Sequence, residues 1–281
     1  MAVNSYMERR GKGYIPLLIF FALFVIFLYG PMFAIITLSF QGPDGGLTFP
    51  MQGISMHWFQ ELFKPQRVGD FKGSFLRSFW LAGMVMLLTV IISLAAGLAF
   101  RKGFKGDSWV FYLTISSLIV PSILLTLGIG LQFDQLSLES KWYSSGLGAH
   151  LSWTLPFGLL IMFAVFNRFD KSYEEAARDM GATPRQVIQY VVVPIIAPSL
   201  VGVGLFGFTL SFDEFARSLL AMGVYNTLPL EIFGMTTTVT TPTLYALGTL
   251  TTAVSFLIIG VSFGLINYLR KRRKRLLIKA D

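Results

Sequence analysis

Cysteine is absent from the 281 residues, which excludes a disulfide framework, a thiolate metal site and a cysteine nucleophile. Charge is scarce as well. Asp, Glu, Lys and Arg make up 14% of the chain, where an ordinary soluble domain carries roughly 25%. The two histidines, His57 and His150, stand too far apart to suggest a metal site, and a structural role is expected of each. No G-x-x-x-x-G-K-[ST] phosphate loop occurs, and no polar stretch is long enough to hold a nucleotide domain. No catalytic residue, metal ligand or cofactor of its own is therefore expected of this chain. What it has in abundance is apolar surface: 54% of residues are hydrophobic and the mean hydropathy is +0.64. So few charges cannot cover so much apolar surface in water, and the chain reads as a membrane protein.

A helix needs about 20 apolar residues to cross the hydrocarbon core. Six stretches qualify: Tyr14 to Phe40, Ser78 to Phe100, Ser108 to Phe133, His150 to Phe166, Val191 to Phe212 and Leu244 to Leu269. The Tyr29-Gly30-Pro31 step interrupts the first, and Pro121 is expected to kink the third. The expected architecture is all-α, with a transmembrane region over 14–269 between an N-terminal segment 1–13 and a basic tail 270–281. A short helix is expected at His57 to Phe63, lying at the membrane interface with Trp58 and Phe59 at headgroup depth.

The positive charges orient these spans. With the N-terminus in the cytoplasm, the inner side receives Arg9, Arg10, Lys12, Arg101, Lys102, Lys105, Arg168, Lys171, Arg178 and Arg185. It also receives the seven basic residues of the tail. Only Lys64, Arg67, Lys72, Arg77, Lys141 and Arg217 fall outside, which is the positive-inside pattern with both termini cytoplasmic. The run Arg270 to Arg275 follows an apolar span directly and reads as an anchor on anionic lipid, not as a nucleic-acid patch. The first apolar stretch is too long for the h-region of a signal peptide, and no small-x-small site closes it.

Between the fourth and fifth spans, over about 171–190, the chemistry spells two short helices. Ser172 reads as an N-cap with Glu175 as its capping-box partner, and Glu174 and Arg178 form an i,i+4 pair. Ala176, Ala177 and Met180 are expected on one face, and Gly181 is placed for the left-handed residue that ends a helix. Thr183, Pro184 and Gln186 then begin a second helix, with Val187, Ile188 and Val191 as its apolar face. A passive connector lying on the membrane or on its own bundle accounts for such a pair of helices. So does a docking element for another protein.

The string Glu175-Ala176-Ala177, with Gly181 four residues later and Val191-x-Val193-Pro194 beyond it, resembles the EAA signature of ABC-importer permeases. That signature has Ile and Leu where this chain has Val191 and Val193, and both changes keep the apolar character. Six spans, the position of the motif and internal termini extend the resemblance to the type I (MetI-like) permease fold over nearly the whole chain. The resemblance implies a multi-pass protein of the bacterial inner membrane with no enzymatic activity. It implies that Glu174, Glu175, Ala176, Ala177, Gly181 and Pro194 belong to coupling helices seated on a cytoplasmic ATPase dimer, which uses ATP-Mg. It further implies a second homologous permease and a periplasmic solute-binding protein.

For the cargo, the sequence offers Phe212, Asp213, Glu214 and Phe215 at the outer end of the fifth span. Two carboxylates among aromatic rings suit an organic cation by charge and cation–π attraction. Capping of the following turn is the alternative use of the same carboxylates. The Ser211-Phe212-Asp213-Glu214-Phe215 stretch, the segment Thr227 to Phe233 and the Trp58-Phe59 pair resemble the spermidine/putrescine group of these permeases, which implies a polyamine. Relatives of the same style carry ferric iron, thiamine or amino-acid-like solutes. A gradient-driven transporter or channel is the rival class. It calls for charges well inside several spans, which the second, third, fourth and sixth stretches lack.

Overall fold

A computed structural model describes residues 14–64, 70–238 and 241–278. The N-terminal segment 1–13 and the last three residues of the basic tail lie outside the described residues. Helices make up the regular structure among the described residues, and a single isolated bridge, Gln41 with Ile54, is the one β-type pairing. The chain divides into two compact units, Met1–Gln66 with Val239–Ala253, and Arg67–Thr238 with Val254–Asp281.

In the first unit, α1 (Tyr14–Leu38) runs unbroken through Pro31 and leaves nearly all of its apolar side chains uncovered. The interruption expected at Tyr29-Gly30-Pro31 is not there, since one missing N–H can be absorbed within a helix. The chain then folds around buried Gln41, whose amide donates to the Gly46 carbonyl (3.1 Å) and accepts from the Gln52 N–H (2.8 Å). The short helix α2 (His57–Glu61) follows, with Phe59 packed on Phe40 at 5.3 Å. The opening turns of α11 (Thr243–Ile278) belong to this unit, where the Tyr245 hydroxyl donates to the Leu47 carbonyl.

The second unit is built on three long helices, α3 (Phe71–Lys102), α6 (Ser145–Asn167) and α9 (Val193–Phe212). Hydrocarbon gives two apolar helices no reason to associate, so close backbone approach and interhelical hydrogen bonds must do it. Both are present. A Cβ on Gly158 of α6 would fall 2.2 Å from Ser93 Oγ of α3, and one on Gly97 would fall 2.8 Å from the Phe166 ring. Thr89 of α3 and Thr154 of α6 share a buried hydrogen bond of 2.8 Å.

Among the described residues, five helical segments are long and apolar enough to cross a membrane: Tyr14–Leu38, Phe71–Lys102, Ser145–Asn167, Pro184–Phe212 and Thr243–Leu269. The third apolar stretch departs from expectation. It forms two helices, α4 (Asp107–Ser116) and α5 (Ser122–Gln135), separated at 117–121. Pro121 has no N–H to close a helical bond and disfavours the helical conformation at Val120, so the stretch breaks where a kink was expected. The last helix runs past the apolar span through most of the basic tail.

Candidate functional site

The segment between α6 and α9 is bihelical. Helix α7 (Ser172–Asp179) begins differently from expectation: Lys171 is already helical, and the Ser172 N–H donates to the Asp170 carboxylate at 2.9 Å. Asp170, two residues upstream, takes the Ser172 N–H that the Glu175 carboxylate would accept, so the Ser172–Glu175 capping box does not form. The Ser172 backbone and hydroxyl hold the Asp170 carboxyl below its ordinary range.

The end of α7 follows the sequence closely. Gly181 has φ +84°, its N–H donates to the Arg178 carbonyl (2.8 Å), and the Ala182 N–H donates to the Ala177 carbonyl (3.0 Å). This double closure is the Schellman arrangement, and the positive φ is what calls for glycine. Next, the Thr183 N–H donates to Gln186 Oε1 (2.8 Å) while the Gln186 N–H reaches Thr183 Oγ1, so the second capping box is complete. Helix α8 (Pro184–Gln186) passes into a π-helical stretch, Val187–Val192, before α9. Pro194 cannot donate to the carbonyl four residues back, and a wide turn just before it accommodates the missing bond.

Three charged residues tie this element down. Arg101, from the last turn of α3, donates to the Glu174 carboxylate, and Arg178 reaches the same carboxylate at 3.5 Å. Arg101 and Glu174 are largely shielded, with 15% and 13% of their side chains exposed. The Arg101 guanidinium also lies over Phe166 (5.5 Å) and Phe169 (5.1 Å). Ala177 is buried against Met162, Phe166 and Val187, whereas Glu175, Ala176 and Gly181 are exposed and Met180 is 83% exposed. The shared Ala176-Ala177-Met180 face therefore does not exist. Ala177 points into the bundle and its neighbours point away from it. A cleft of about 260 Å³ beside the element is lined by Arg101, Lys102, Lys171, Glu174, Glu175 and Arg178, among others.

At the other end of α9 the four residues singled out for cargo have separate surroundings. Phe212 is buried against Phe75 (6.1 Å) and Phe208 (5.7 Å). Asp213 is exposed at the helix end, and loss of water on one side raises its carboxyl above the ordinary range. Glu214 accepts the Arg217 N–H at 2.9 Å, which is the turn-capping use of that carboxylate. Phe215 packs on Phe233 at 5.0 Å, in the helix α10 (Leu228–Thr238). Buried Glu231 of α10 accepts from the Asp70 N–H (3.0 Å) and the Asn226 amide (3.1 Å), which secures the Thr227 to Phe233 segment to the start of α3.

A buried polar cluster that sequence reasoning missed lies directly after Asp213. His150 Nε2 sits 3.1 Å from Ser218 Oγ, and Nδ1 sits 2.8 Å from Ser211 Oγ. The only hydroxyl hydrogen of Ser218 is committed to the Glu214 carbonyl (2.7 Å), so Nε2 donates to Ser218, and Nδ1 pairs with Ser211. His150 is thus a fully satisfied structural side chain. Arg217 beside it is wholly buried, donates to Ser152 Oγ and lies 4.8 Å over Trp153. The charge pattern places it among the outer-side bases and gives no hint of this burial. Its one local signal is isolation among small and apolar residues four positions after Asp213.

The chain is similar to known proteins in sequence and in fold. Residues 89–275 match the family described as binding-protein-dependent transport system inner membrane component. The chain is 28% identical over 244 residues to the spermidine/putrescine transport system permease protein PotC of Haemophilus influenzae, covering 85% of this chain and 93% of that one. It is 28% identical over 232 residues to the putrescine transport system permease protein PotI of Escherichia coli K12, covering 80% and 81%. Among solved structures, a bacterial ABC transporter that imports the acidic polysaccharide alginate superposes with a TM-score of 0.71. It is 14% identical and covers 95% of this chain and 99% of that one. The inward-facing MetNI methionine ABC transporter gives a TM-score of 0.53 at 17% identity, covering 70% and 96%. The family match spans well over half of the chain, and the fold agrees; this protein belongs to the inner-membrane components of binding-protein-dependent ABC importers.

Proposed function

We propose that this chain is one of two homologous permease subunits of a polyamine importer, powered by a separate ATPase dimer seated on residues 171–190. A periplasmic solute-binding protein delivers the cargo, and ATP-Mg is consumed by the ATPase alone. The observation that carries the reading is the construction of the coupling element. Its inner side is fixed by the Arg101–Glu174 pair and by buried Ala177, while Glu175, Ala176, Met180 and Gly181 face outward on a doubly capped scaffold. A rigid element is what transmits a push, and Ala176 and Met180, exposed one helical turn apart, give a partner an apolar point of contact on it. The carboxylates at the end of α9 and the names borne by PotC and PotI support a polyamine as cargo.

The test is a cross-link. With no native cysteine in the chain, Met180→Cys carries the only thiol of this subunit. In membranes containing all subunits, a bifunctional thiol reagent should join it to the ATPase, and ATP should change the yield. Cross-links solely to lipid or to the subunit itself would overturn the docking assignment.

A further inference from the structure

The break in the third apolar stretch leaves an acceptor unmet. In a continuous helix the Ser117 carbonyl would accept from the N–H of residue 121, and Pro121 has none. An unsatisfied carbonyl at membrane depth must find another donor. Two side chains meet at this point. Ser117 Oγ lies 2.8 Å from both the Thr114 carbonyl of its own turn and the Ser152 carbonyl of α6, which share its one hydrogen, and Arg217 Nη2 reaches the Ser117 carbonyl at 3.5 Å. The same guanidinium donates through Nη1 to Ser152 Oγ and stacks on Trp153.

Arg217 has no carboxylate within ion-pair distance among the described residues, since Glu214 is engaged by its backbone, and its Nε has no partner. Glu214 attracts the guanidinium only from beyond ion-pair distance, and a buried cation so weakly compensated is a poor way to stabilise a fold, because an apolar side chain of similar volume would serve better. Its presence there calls for a use that an apolar side chain cannot supply. The planar fork supplies one, by donating in two directions at once.

We propose that Arg217 is a positioning residue that latches the broken α4–α5 stretch to α6 and to the outer end of α9, so that this part of the permease moves as one body during transport. The transport role rests on the importer reading, whereas the bend at 117–121 does not.

The absence of cysteine allows a direct test. Spin labels at Trp109→Cys in α4 and Leu131→Cys in α5, both exposed positions, report the angle across the break in the assembled transporter. With Arg217 intact a single narrow distance is expected. Arg217→Met should broaden or shift it, Arg217→Lys should do so less, and Pro121→Ala should make the distance insensitive to residue 217. In the same preparations, stimulation of the ATPase by spermidine-loaded binding protein should fall about tenfold in Arg217→Met, the scale of a typical coupling energy. Basal hydrolysis and co-purification with the ATPase should be unchanged. If Arg217→Met does not accumulate, Arg217→Lys is judged by the same criteria. Superimposable distances in variant and parent overturn the latch, and unaltered stimulation overturns its role in transport. A parent that spermidine-loaded binding protein fails to stimulate points to the wrong cargo and leaves the distance measurement intact.

Discussion

Replacing Arg101 by Met should loosen the coupling element without unfolding the protein, and the size of the effect can be worked out. Removing one partner of a buried ion pair costs about 3–5 kcal/mol. Here Glu174 keeps 13% exposure and retains Arg178 at 3.5 Å, so about 2 kcal/mol is the discounted figure. That corresponds to about a 30-fold rise in the fraction of time α7 is undocked. Ala177→Cys reads this out, because its side chain is buried behind α7 and the chain has no other thiol. Its labelling by maleimide should therefore speed up about 30-fold in the Arg101→Met background, provided opening is fast relative to reaction. Arg178→Ala is the control. Its side chain is 58% exposed, and an exposed i,i+4 pair contributes about 0.3–0.5 kcal/mol, so labelling should change only about twofold. Equal labelling rates in the parent and Arg101→Met would refute the anchoring role. So would a larger effect from Arg178→Ala.

Three further outcomes are expected. Gly181→Ala forces a Cβ into the left-handed region at a cost of about 1–2 kcal/mol; uptake should fall while the amount inserted in the membrane stays constant. Gly158→Ala drives a Cβ into Ser93, and such overpacking should destabilise the bundle by about 1–3 kcal/mol, visible as a lower melting temperature in detergent. Asp213→Asn combined with Glu214→Gln should weaken polyamine uptake while leaving the turn capped, because the amide oxygen of the substituted side chain still accepts the Arg217 N–H; undiminished uptake would remove these carboxylates from the path.

Local chemistry is the legible part of this molecule. Gly181, Thr183 and Gln186 each act through a neighbour three positions away and Pro184 through its own fixed φ at the first helical position, and all four do what their placement indicates. Ser172 fails by the same kind of rule, because Asp170 competes for its amide from two residues upstream. The break at Pro121 is visible as a kink but not as two helices, since hydropathy counts apolar residues and is blind to where the backbone can hydrogen-bond. What stays illegible depends on contacts between distant segments. Glu174 meets Arg101 across 73 positions, and Arg217 meets Ser117 across 100. No periodicity records such pairings. For the same reason Ala177 can be placed on the α7 surface but not assigned to the buried side, and Arg217 reads as a solvated base when it is fully enclosed.

The most direct measurement is ATP-driven accumulation of labelled spermidine in vesicles holding this permease, its partner permease and the ATPase, supplied with the binding protein. Wild-type vesicles should concentrate spermidine only when the ATPase has access to ATP-Mg. Glu175→Arg and Gly181→Trp should abolish this and weaken retention of the ATPase, although the permease still inserts. Accumulation that survives both substitutions, or that runs on an ion gradient without ATP, would contradict the assignment of residues 171–190 as the point where the motor takes hold.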